Sequence, residues 1–576
     1  MIKTTMLKVA GGRKKAELVL KNCQIINVFT TEIESGDIAI ENGFVVGIGK
    51  YKGMKVIDMK GAYVAPGFID GHVHIESSMM VPHEFAKLVL PCGTTSVIAD
   101  PHEIANVLGV KGIEYMMKSA SLVPLDVYMM IPSCVPATKF ETSGSVIDVL
   151  DITKMLKQDN VLGLGEVMSY PEVIMGDHTM LNKIKVMKNH PIDGHAPGLT
   201  SKPLNAYICA GIQTDHESST LEELIEKTRR GLYVHLREGS QTRNVNDLLP
   251  GVSANNKTRL LFCTDDKHPE DIANEGHINY NINLAINYGI SPLWAIQMAT
   301  INIATAYHIP HVGAIAPGYK ADLVIFDSLE CIQPRQVYKD GHMVVENAEI
   351  LFTTPSINQQ EVCNTVKFNP DAISLNLRLK STRVKVIGLV NNNVTTTKEI
   401  ATVKVENGLY QNTPHSKILK LAVIERHHFS NRVGLGLVKG YGLQYGAVAM
   451  TIAHDSHNLI CIGDSDYDMM LAIRKIHEIQ GGIVLVQGGK IMDSLTLEVA
   501  GLMTKQVSET VRNKLRNMEK IVRSMGVGGE IVDPFLQLAF LSLPVIPELK
   551  LTDMGLFDAS EYQIVPIEAG DSLELR

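Results

Sequence analysis

Closely spaced cysteines are absent from this sequence. Its 8 cysteines stand singly along 576 residues, and no Cys-x-x-Cys pair occurs. A disulfide framework or a thiolate metal site needs cysteines at close, regular spacing, whereas single thiols in apolar runs are typical of reducing compartments. We therefore expect reduced, mostly buried thiols and a cytoplasmic protein.

Long apolar runs and blocks of positive charge are absent as well. No run approaches the ~18 apolar residues that a membrane span needs, and Met1–Lys15 is basic without the apolar centre of a signal peptide. The net charge is −8, and lysine and arginine form no stripe of the kind that binds a nucleic-acid backbone. We expect neither a membrane nor a nucleic acid as a partner.

The sequence does contain enough apolar residues for several cores. Its 576 residues exceed what one core usually serves, and the 45% apolar fraction is ordinary for a globular protein. Short strands separated by turn residues fill residues 1–63 and return over residues 312–363. We expect these two parts to form one small composite β-sandwich domain. Residues 364–576 mix strands and helices, including a helix over Leu502–Met525, and predict a C-terminal α+β domain.

Residues 64–311 alternate strands with helix-length segments such as Ile104–Ser121 and Ile278–Tyr288. The expected strands are one that ends at His74, then Thr94–Asp100, Leu125–Val135, Val161–Met168, Pro191–His195, Ile212–His216, Leu232–Arg237 and Arg259–Asp265. Eight β–α units over ~250 residues predict a closed, TIM-like (β/α)8 barrel of the α/β class, with its chemistry at the carboxyl ends of the strands. A doubly wound open sheet is the alternative, although no Gly-x-Gly-x-x-Gly motif favours a dinucleotide-binding version.

The end of the first barrel strand carries two candidate metal ligands, His72 and His74. Residues two apart in a strand point to the same side, so both imidazoles can reach one point. Imidazole is the commonest side-chain metal ligand. An isolated His-x-His is more often a pair of surface histidines, so the interpretation depends on the other strands.

Further ligand-type residues end four later strands. They are Glu166 on strand four, His195 on strand five, His216 on strand six and Asp265, beside Asp266, on strand eight. Each of them alone is more often a satisfied polar group. Together with the His-x-His pair they are too many for one tetrahedral catalytic zinc, which keeps three protein ligands. They suit two metal ions ~3.5–4 Å apart, bridged by a carboxylate and a hydroxide, and nitrogen and oxygen donors favour manganese, iron or zinc.

Several motifs resemble one known family. Pro66–His74 and the return strand Gly318–Val324 look like the amidohydrolase superfamily of metal-dependent hydrolase barrels. Other stretches resemble, within it, the bacterial-type adenine deaminase family: His74–Ser78, Ala99–Asn106, Asp193–Gly198, Thr214–Ser218 and Ala453–Asn458. The similarity covers nearly the whole chain.

The resemblance implies that adenine is hydrolysed to hypoxanthine and ammonia in purine salvage. It implies two divalent metal ions, with Mn²⁺ favoured and Fe²⁺ or Zn²⁺ possible. The implied ligands are His72, His74 and Asp265 for one ion, Glu166 as the bridge, and His195 and His216 for the other. A hydroxide bridging the two ions would attack C6 of adenine. Asp265 would shuttle its proton to the departing ammonia, a contribution typically worth ~10²–10⁴-fold.

Protonation of ring atom N1 requires a second acid. Relatives that deaminate ring bases carry a carboxylate just after the strand-five histidine, whereas His195 is followed here by Ala196-Pro-Gly198. Glu103 and Glu217 are the candidates for this role. Glu103 can alternatively be a carboxylate that the N-terminus of a helix favours, and Glu217 can be a partner that orients a ligand histidine.

We expect His102, Arg237 and His457 to contact the substrate. Arg237 is alternatively a salt-bridged residue at the barrel rim. The loop His454–Asn458 is expected to close over the barrel mouth, and the alternative is a polar turn that satisfies its own backbone.

A second functional hypothesis is another amidohydrolase that cleaves a cyclic amide, as a hydantoinase or a dihydroorotase does. Such relatives often bridge their metals with a carboxylated lysine, where this chain has Glu166. A non-enzymatic barrel would be indicated by the loss of a ligand, and none is lost. The expected partners are a small-molecule substrate, adenine, and further copies of the chain in a homodimer or higher homo-oligomer, because the C-terminal helices can present apolar surface.

Overall fold

The structure, a computed structural model, describes residues 4–355, 357–391, 393–413 and 417–569. A central barrel lies between a sheet built from both of its flanking segments and a C-terminal domain. Among the described residues, no helix has both the length and the apolar character that crossing a bilayer requires.

The predicted (β/α)8 barrel is confirmed. Its strands are Phe68–Val73, Thr94–Ala99, Asp126–Ile131, Val161–Val167, Ile192–Gly194, Thr214–Asp215, Tyr233–Arg237 and Leu260–Cys263. The first five form one parallel sheet and the last three another. The Gln213 N–H donates to Ile192 O at 3.1 Å, and the Asp265 N–H donates to His72 O at 2.9 Å. These bonds join the two sheets on both sides, so the barrel closes.

Helices surround the barrel and connect its strands. They are Pro82–Val89, His102–Leu108, Val110–Ala120, Val149–Met155, Tyr170–Met175, His178–Lys185, Ser201–Cys209, Leu221–Arg229, Val245–Leu248, Pro269–Glu275, Ile278–Tyr288, Pro292–Met298 and Ile301–Ala306. The single helix predicted over Ile104–Ser121 is wrong, because two helices meet at Gly109. That glycine has φ +62° and ψ −142°, a conformation that interrupts a helix and that residues with a Cβ rarely adopt.

One sheet of nine strands collects the segments on both sides of the barrel. Its strands are Ala16–Asn27, Glu32–Glu41, Phe44–Ile48, Gly53–Asp58, Tyr63–Pro66, Leu323–Phe326, Gln336–Lys339, His342–Glu346 and Glu349–Ile350. Tyr63–Pro66 straddles the expected boundary after residue 63 and pairs antiparallel with Leu323–Phe326. The composite unit therefore leads directly into the first barrel strand. A helix over Thr4–Ala10 precedes it, which the sequence did not predict.

The C-terminal domain is built on a mixed sheet of eight strands. They are Arg383–Leu389, Thr396–Thr402, Ile418–Ile424, Val433–Lys439, Ala447–Met450, Leu459–Gly463, Gly482–Gln487 and Lys490–Thr496. Smaller sheets pair Lys404–Glu406 with Leu409–Gln411 and join Leu549–Thr552, Gly555–Asp558 and Gln563–Ile564. The helices are Asp466–Ile479, Ser508–Ser524 and Pro534–Ala539.

The start of the helix predicted over Leu502–Met525 is wrong, because this helix begins only at Ser508. The preceding segment pairs with the barrel instead. The Thr504 N–H donates to Met79 O at 2.9 Å, and the Val81 N–H donates to Thr504 O at 3.3 Å. Backbone groups used in this pairing cannot also form a helical turn.

The C-terminal domain covers the barrel mouth through the loop that follows the third barrel strand. In this loop, the Thr142 N–H donates to Asp553 Oδ1 at 2.9 Å, and Thr142 O accepts from Asn458 Nδ2 at 2.9 Å. Glu141 accepts a hydrogen bond from the Ser456 hydroxyl. The loop His454–Asn458 is therefore fixed over the carboxyl ends of the barrel strands.

Candidate metal centre

His72 and His74 stand at the end of the first barrel strand, and both are buried. Nδ1 of His72 lies 2.9 Å from Asp193 Oδ2, and Nδ1 of His74 lies 2.9 Å from Asp100 O. Both partners are acceptors, so each Nδ1 donates a hydrogen bond to its partner. The two Nε2 atoms point toward the same place and lie 3.1 Å apart.

Glu166 ends the fourth barrel strand and presents its two oxygens to different histidines. Oε1 lies 3.4 Å from His74 Nε2 and 3.9 Å from His72 Nε2. Oε2 lies 2.6 Å from His195 Nδ1 and 3.3 Å from His216 Nε2. Burial acts to raise the pKa of Glu166, but His195, His216 and His74 outweigh it and hold the pKa well below its usual range. The two oxygens of this carboxylate therefore face two different pairs of histidines.

Asp265 follows the eighth strand and turns back toward the first. Its Oδ1 lies 3.0 Å from His74 Nε2 and 3.4 Å from His72 Nε2, while its Oδ2 accepts from Arg237 Nη1 at 2.8 Å. Its φ of +61° lies in the left-handed region, which is rare outside glycine and recurs at functional sites. The barrel-closing hydrogen bond to His72 O holds this conformation.

The side chains brought together fit divalent metal ions. Ligand atoms lie within 4.8 Å of one another in three overlapping groups: His72 with His74 and Glu166, His72 with His216 and Asp265, and Glu166 with His195 and His216. The donors are imidazole nitrogens and carboxylate oxygens without thiolate, the set that suits manganese, iron or zinc. Asp193 orients His72 as carboxylates commonly orient histidine ligands of metals.

Arg237 and Glu217 lie beside the ligand cluster. Arg237 donates to both oxygens of Glu217, with Nη2 to Oε2 at 3.1 Å. Glu217 Oε1 is 3.7 Å from His195 Nδ1 and 3.6 Å from His216 Nε2. Burial acts to raise the pKa of Glu217, but the positive charge of Arg237 outweighs it, so the pKa is lowered. Arg237 is thus salt-bridged, as its alternative interpretation states, and it also lines the cavity.

A cavity of about 40 Å³ lies over the cluster and opens into an outer recess of about 420 Å³. Glu217 and Arg237 line both spaces. His102 lines the inner cavity, with Nδ1 3.4 Å from Glu166 Oε1. The C-terminal domain supplies the opposite wall: Val394, His454, Asp455, Phe540, Leu543 and Ile546.

Glu103 and His457 are not among the described residues that line this cavity. Glu103 Oε1 accepts from the Ser77 hydroxyl at 3.0 Å and lies 3.5 Å from His454 Nδ1. Glu103 Oε2 lies 3.9 Å from His457 Nε2. Both side chains are buried behind the wall, so the geometry disagrees with direct proton transfer from Glu103 to the base and with a contact between His457 and the base. The loop expected to close over the barrel mouth reaches the cavity through His454 and Asp455 instead.

The sequence interpretation missed the role of Asp193 and most of the C-terminal wall. A signal for Asp193 existed, because Asp-Gly-His occurs at residues 193–195 as it does at residues 70–72. Asp455 lies in the loop His454–Asn458 that the sequence did mark. No comparable pattern marked Val394 or Phe540, because only tertiary packing brings their separate segments together.

Comparisons with known proteins agree with this site. A model of the amidohydrolase family matches residues 63–363, and a model of the adenine deaminase C-terminal domain matches residues 393–563. The chain is 47% identical to adenine deaminase 2 of Carboxydothermus hydrogenoformans over 98% of this chain and 99% of that protein. It is 46% identical to the adenine deaminase of Clostridium acetobutylicum over 97% and 99% of the two chains. For the adenine deaminase of Geobacillus kaustophilus the identity is 44% over 98% of each chain.

The chain therefore belongs to the amidohydrolase family. Within that family its near full-length relatives are adenine deaminases, and the match includes the C-terminal domain that bears their name. The resemblance to the bacterial-type adenine deaminase family is thus confirmed.

Proposed function

We propose that this chain catalyses the hydrolytic deamination of adenine to hypoxanthine and ammonia, in purine salvage. The observation that carries the proposal is an identity of 44–47% to adenine deaminases along 97–98% of the chain. The convergence of the expected ligand side chains at one rim of the barrel supports it.

Two divalent metal ions are the proposed cofactors, with Mn²⁺ favoured and Fe²⁺ or Zn²⁺ as alternatives. The residues that would hold them are His72, His74 and Asp265 for one ion, Glu166 as the bridge, and His195 and His216 for the other. When bound, the ions lower the pKa of a coordinated water and so supply the nucleophile for C6. The two-sided contacts of Glu166 support a pair of ions rather than one.

Asp265 is the proposed proton shuttle. One of its oxygens faces the candidate ligand histidines and the other accepts from Arg237, so the carboxylate is held beside the residues that would hold the ions. It takes a proton from that water and passes one to the departing amino group. General acid–base help of this kind contributes about 10²–10⁴-fold.

Glu217 is the proposed acid for N1, in preference to Glu103. It lines the cavity, whereas Glu103 lies behind the cavity wall. Because Arg237 lowers its pKa, Glu217 is ionised in the free enzyme and must accept a proton before it donates one. His102 and Arg237, which line the same cavity, are the proposed polar contacts to the base.

An assay on the purified protein tests the proposal. Reconstitution with Mn²⁺ should give conversion of adenine to hypoxanthine, followed by ultraviolet absorbance, with no conversion of hydantoin or dihydroorotate. Turnover of a cyclic amide in place of adenine would contradict the proposal and favour the second amidohydrolase hypothesis. That hypothesis is already disfavoured because Glu166 stands where such relatives often carry a carboxylated lysine.

We also propose a cytoplasmic protein that acts on a small molecule, without nucleic acid or membrane as a partner, and that forms a homodimer or higher homo-oligomer. Its 8 cysteines are free thiols, which supports a reducing compartment. The long helix Ser508–Ser524 of the C-terminal domain buries its apolar face within the chain. Support for an oligomer comes instead from the exposed Leu150 and Met175 on barrel helices. Light scattering should give a mass of at least twice 63.2 kDa, and a monomer would contradict the proposal.

A further inference from the structure

The inner cavity has two chemically different walls. The barrel wall is charged, with Glu166, Glu217, Arg237 and Asp265 at the strand ends. The wall from the C-terminal domain is mostly apolar, and its only carboxylate among the described residues is Asp455. A flat aromatic base with one polar edge would match this cavity, with its polar edge toward the charged wall and its apolar surface toward the other wall.

Asp455 is buried at this wall, and its two carboxylate oxygens have different surroundings. Its Oδ1 lies 3.7 Å from His102 Nε2. Its Oδ2 has no hydrogen-bond partner within the part of the chain that the structure describes. Leaving a charged oxygen buried without a donor is unfavourable, so the position is suited to a ligand that brings an N–H group.

Phe540 lies in the same wall and is held firmly. Its ring stacks on His454, with ring centroids 4.5 Å apart and an interplanar angle of 10°. Lys550 Nζ donates to Phe540 O at 3.0 Å and to Val394 O at 2.6 Å, which fixes two segments of the wall to each other. Because the ring is already fixed, a ligand can stack on it without further loss of side-chain conformational entropy.

His102 sets the spacing between Asp455 and the candidate metal ligands. Its Nδ1 lies 3.4 Å from Glu166 Oε1, and its Nε2 lies 3.7 Å from Asp455 Oδ1. The width of one imidazole ring and a contact on each side of it therefore separate the two carboxylates. A base whose six-membered ring reaches Asp265 and Glu217 would place its five-membered ring toward Asp455.

We propose that Asp455 and Phe540 form the recognition site for the purine base. Phe540 packs against a face of the base, and Asp455 accepts a hydrogen bond from the N–H of the five-membered ring. This inference rests on the proposed adenine deamination and explains how the free base is selected. A base substituted on that nitrogen has no N–H to offer and leaves the carboxylate unpaired, and sites built to hydrogen-bond a substrate N–H reject such analogues by up to about 10⁴–10⁵-fold.

The test uses purine and 9-methylpurine, which lack the amino group and cannot be deaminated. Calorimetry on the metal-loaded wild-type protein should show purine binding more tightly than 9-methylpurine by about 10²-fold or more. In Asp455→Ala the affinity for purine should fall about 10–100-fold, and the preference should shrink to within a few-fold. Asp455→Asn, which keeps a carbonyl acceptor, should lie between the two. Equal affinity of the wild type for both ligands, or an unchanged preference in Asp455→Ala, would overturn the role of Asp455.

Asp468→Ala is the matched control. Asp468 is a buried carboxylate of the same domain that accepts from Gly488 N at 3.0 Å and Gly489 N at 2.7 Å, outside the described cavity lining. The Asp468→Ala variant should bind purine as tightly as the wild type does. Because purine binding needs no turnover, a wild type that selects purine but leaves adenine unchanged contradicts the proposed function while supporting the recognition site.

The contact with Phe540 has its own test. Phe540→Leu keeps an apolar side chain but removes the ring, and it should weaken purine binding by about tenfold, the scale of base–aromatic stacking. Phe540→Tyr keeps the ring and should bind within a few-fold of the wild type. Leu543→Met, an apolar exchange in the same wall, should change affinity less than Phe540→Leu. If Phe540→Leu binds purine as the wild type does, the stacking contact is wrong.

Discussion

The barrel wall and the C-terminal wall of the cavity are built in different ways. In the barrel wall each functional group stands at the end of a strand, and backbone pairing between neighbouring strands fixes its position. In the C-terminal wall, Asp455, Phe540 and Val394 come from separate segments. Lys550 joins the segments of Phe540 and Val394, and Asp455 faces His102 of the barrel. Under the two proposals above, the barrel would perform the chemistry and the C-terminal domain would select the ring.

Replacement of the bridging carboxylate should have the largest effect. In Glu166→Gln a neutral amide replaces an oxygen pair whose two members face different histidines. We expect kcat for adenine to fall by about 10³-fold or more, on the scale seen when a central catalytic group is removed, and the metal content to fall below that of the wild type.

Glu238→Gln is the control for Glu166→Gln. Glu238 is a buried carboxylate just after the seventh strand that pairs with Arg243 at 3.3 Å, outside the described cavity lining. Its turnover and metal content should stay within a few-fold of the wild type. Equal losses in both variants would show that any buried carboxylate at this rim matters only for folding.

Arg237→Gln should lower turnover by about 10²-fold, because it removes the charge that holds Asp265 and Glu217 in place. It should also change the pH profile. Arg237 lowers the pKa of Glu217, so its removal should raise that pKa and move the acid limb of kcat/KM to higher pH. A profile that does not move would contradict the assignment of Glu217 to proton transfer.

The meeting of the candidate metal ligands was predictable because the barrel repeats one geometry. Every barrel strand delivers its last residues to the same rim, so His72, Glu166 and Asp265 could be placed together although they are far apart in the sequence. The same regularity marked Asp193 through a second Asp-Gly-His motif, although this signal was overlooked.

The C-terminal wall could not be predicted in this way. Asp455 belongs to a loop and Phe540 to the end of a short helix, and their meeting depends on contacts between distant segments. The late helix start at Ser508 has a similar cause, because the pairing of Thr504 with the barrel overrides local helical preference. Glu103 follows the second barrel strand, yet its side chain lies outside the described cavity lining, because position next to a strand end does not fix where a side chain points.

Asp193→Asn should have a smaller effect than Glu166→Gln and Arg237→Gln. Asp193 Oδ2 lies 2.9 Å from His72 Nδ1, and loss of such an orienting carboxylate typically costs about 10–100-fold in metal affinity. Competition with a chelator measures this affinity directly. Turnover at saturating metal should recover most of the wild-type value, and an unchanged metal affinity would contradict the orienting role.

The last expected effect is on stability rather than activity, and it concerns the junction of the two regions. Burial raises the pKa of Glu141 to about 8, and the nearby carboxylates Asp455 and Asp553 act in the same direction. The folded state therefore holds this proton over a range of pH in which the unfolded chain has lost it. As pH rises from about 4.5 to about 8, Glu141 should lower stability by at most about 1.4 kcal/mol per pH unit.

Glu141→Gln cannot titrate and should remove this slope. Thermal unfolding between pH 6 and 9 compares the two proteins, with the variant more stable than the wild type at the upper end. Parallel curves for the two proteins would contradict the raised pKa and the burial of Glu141 against Ser456.

A titration of the metal-free protein with Mn²⁺ tests the central claim most directly. Adenine deaminase activity, measured at each addition, should be absent without metal and should rise until two equivalents per chain are bound. Activity in the metal-free protein, or a plateau at one equivalent, would contradict a pair of ions bridged by Glu166.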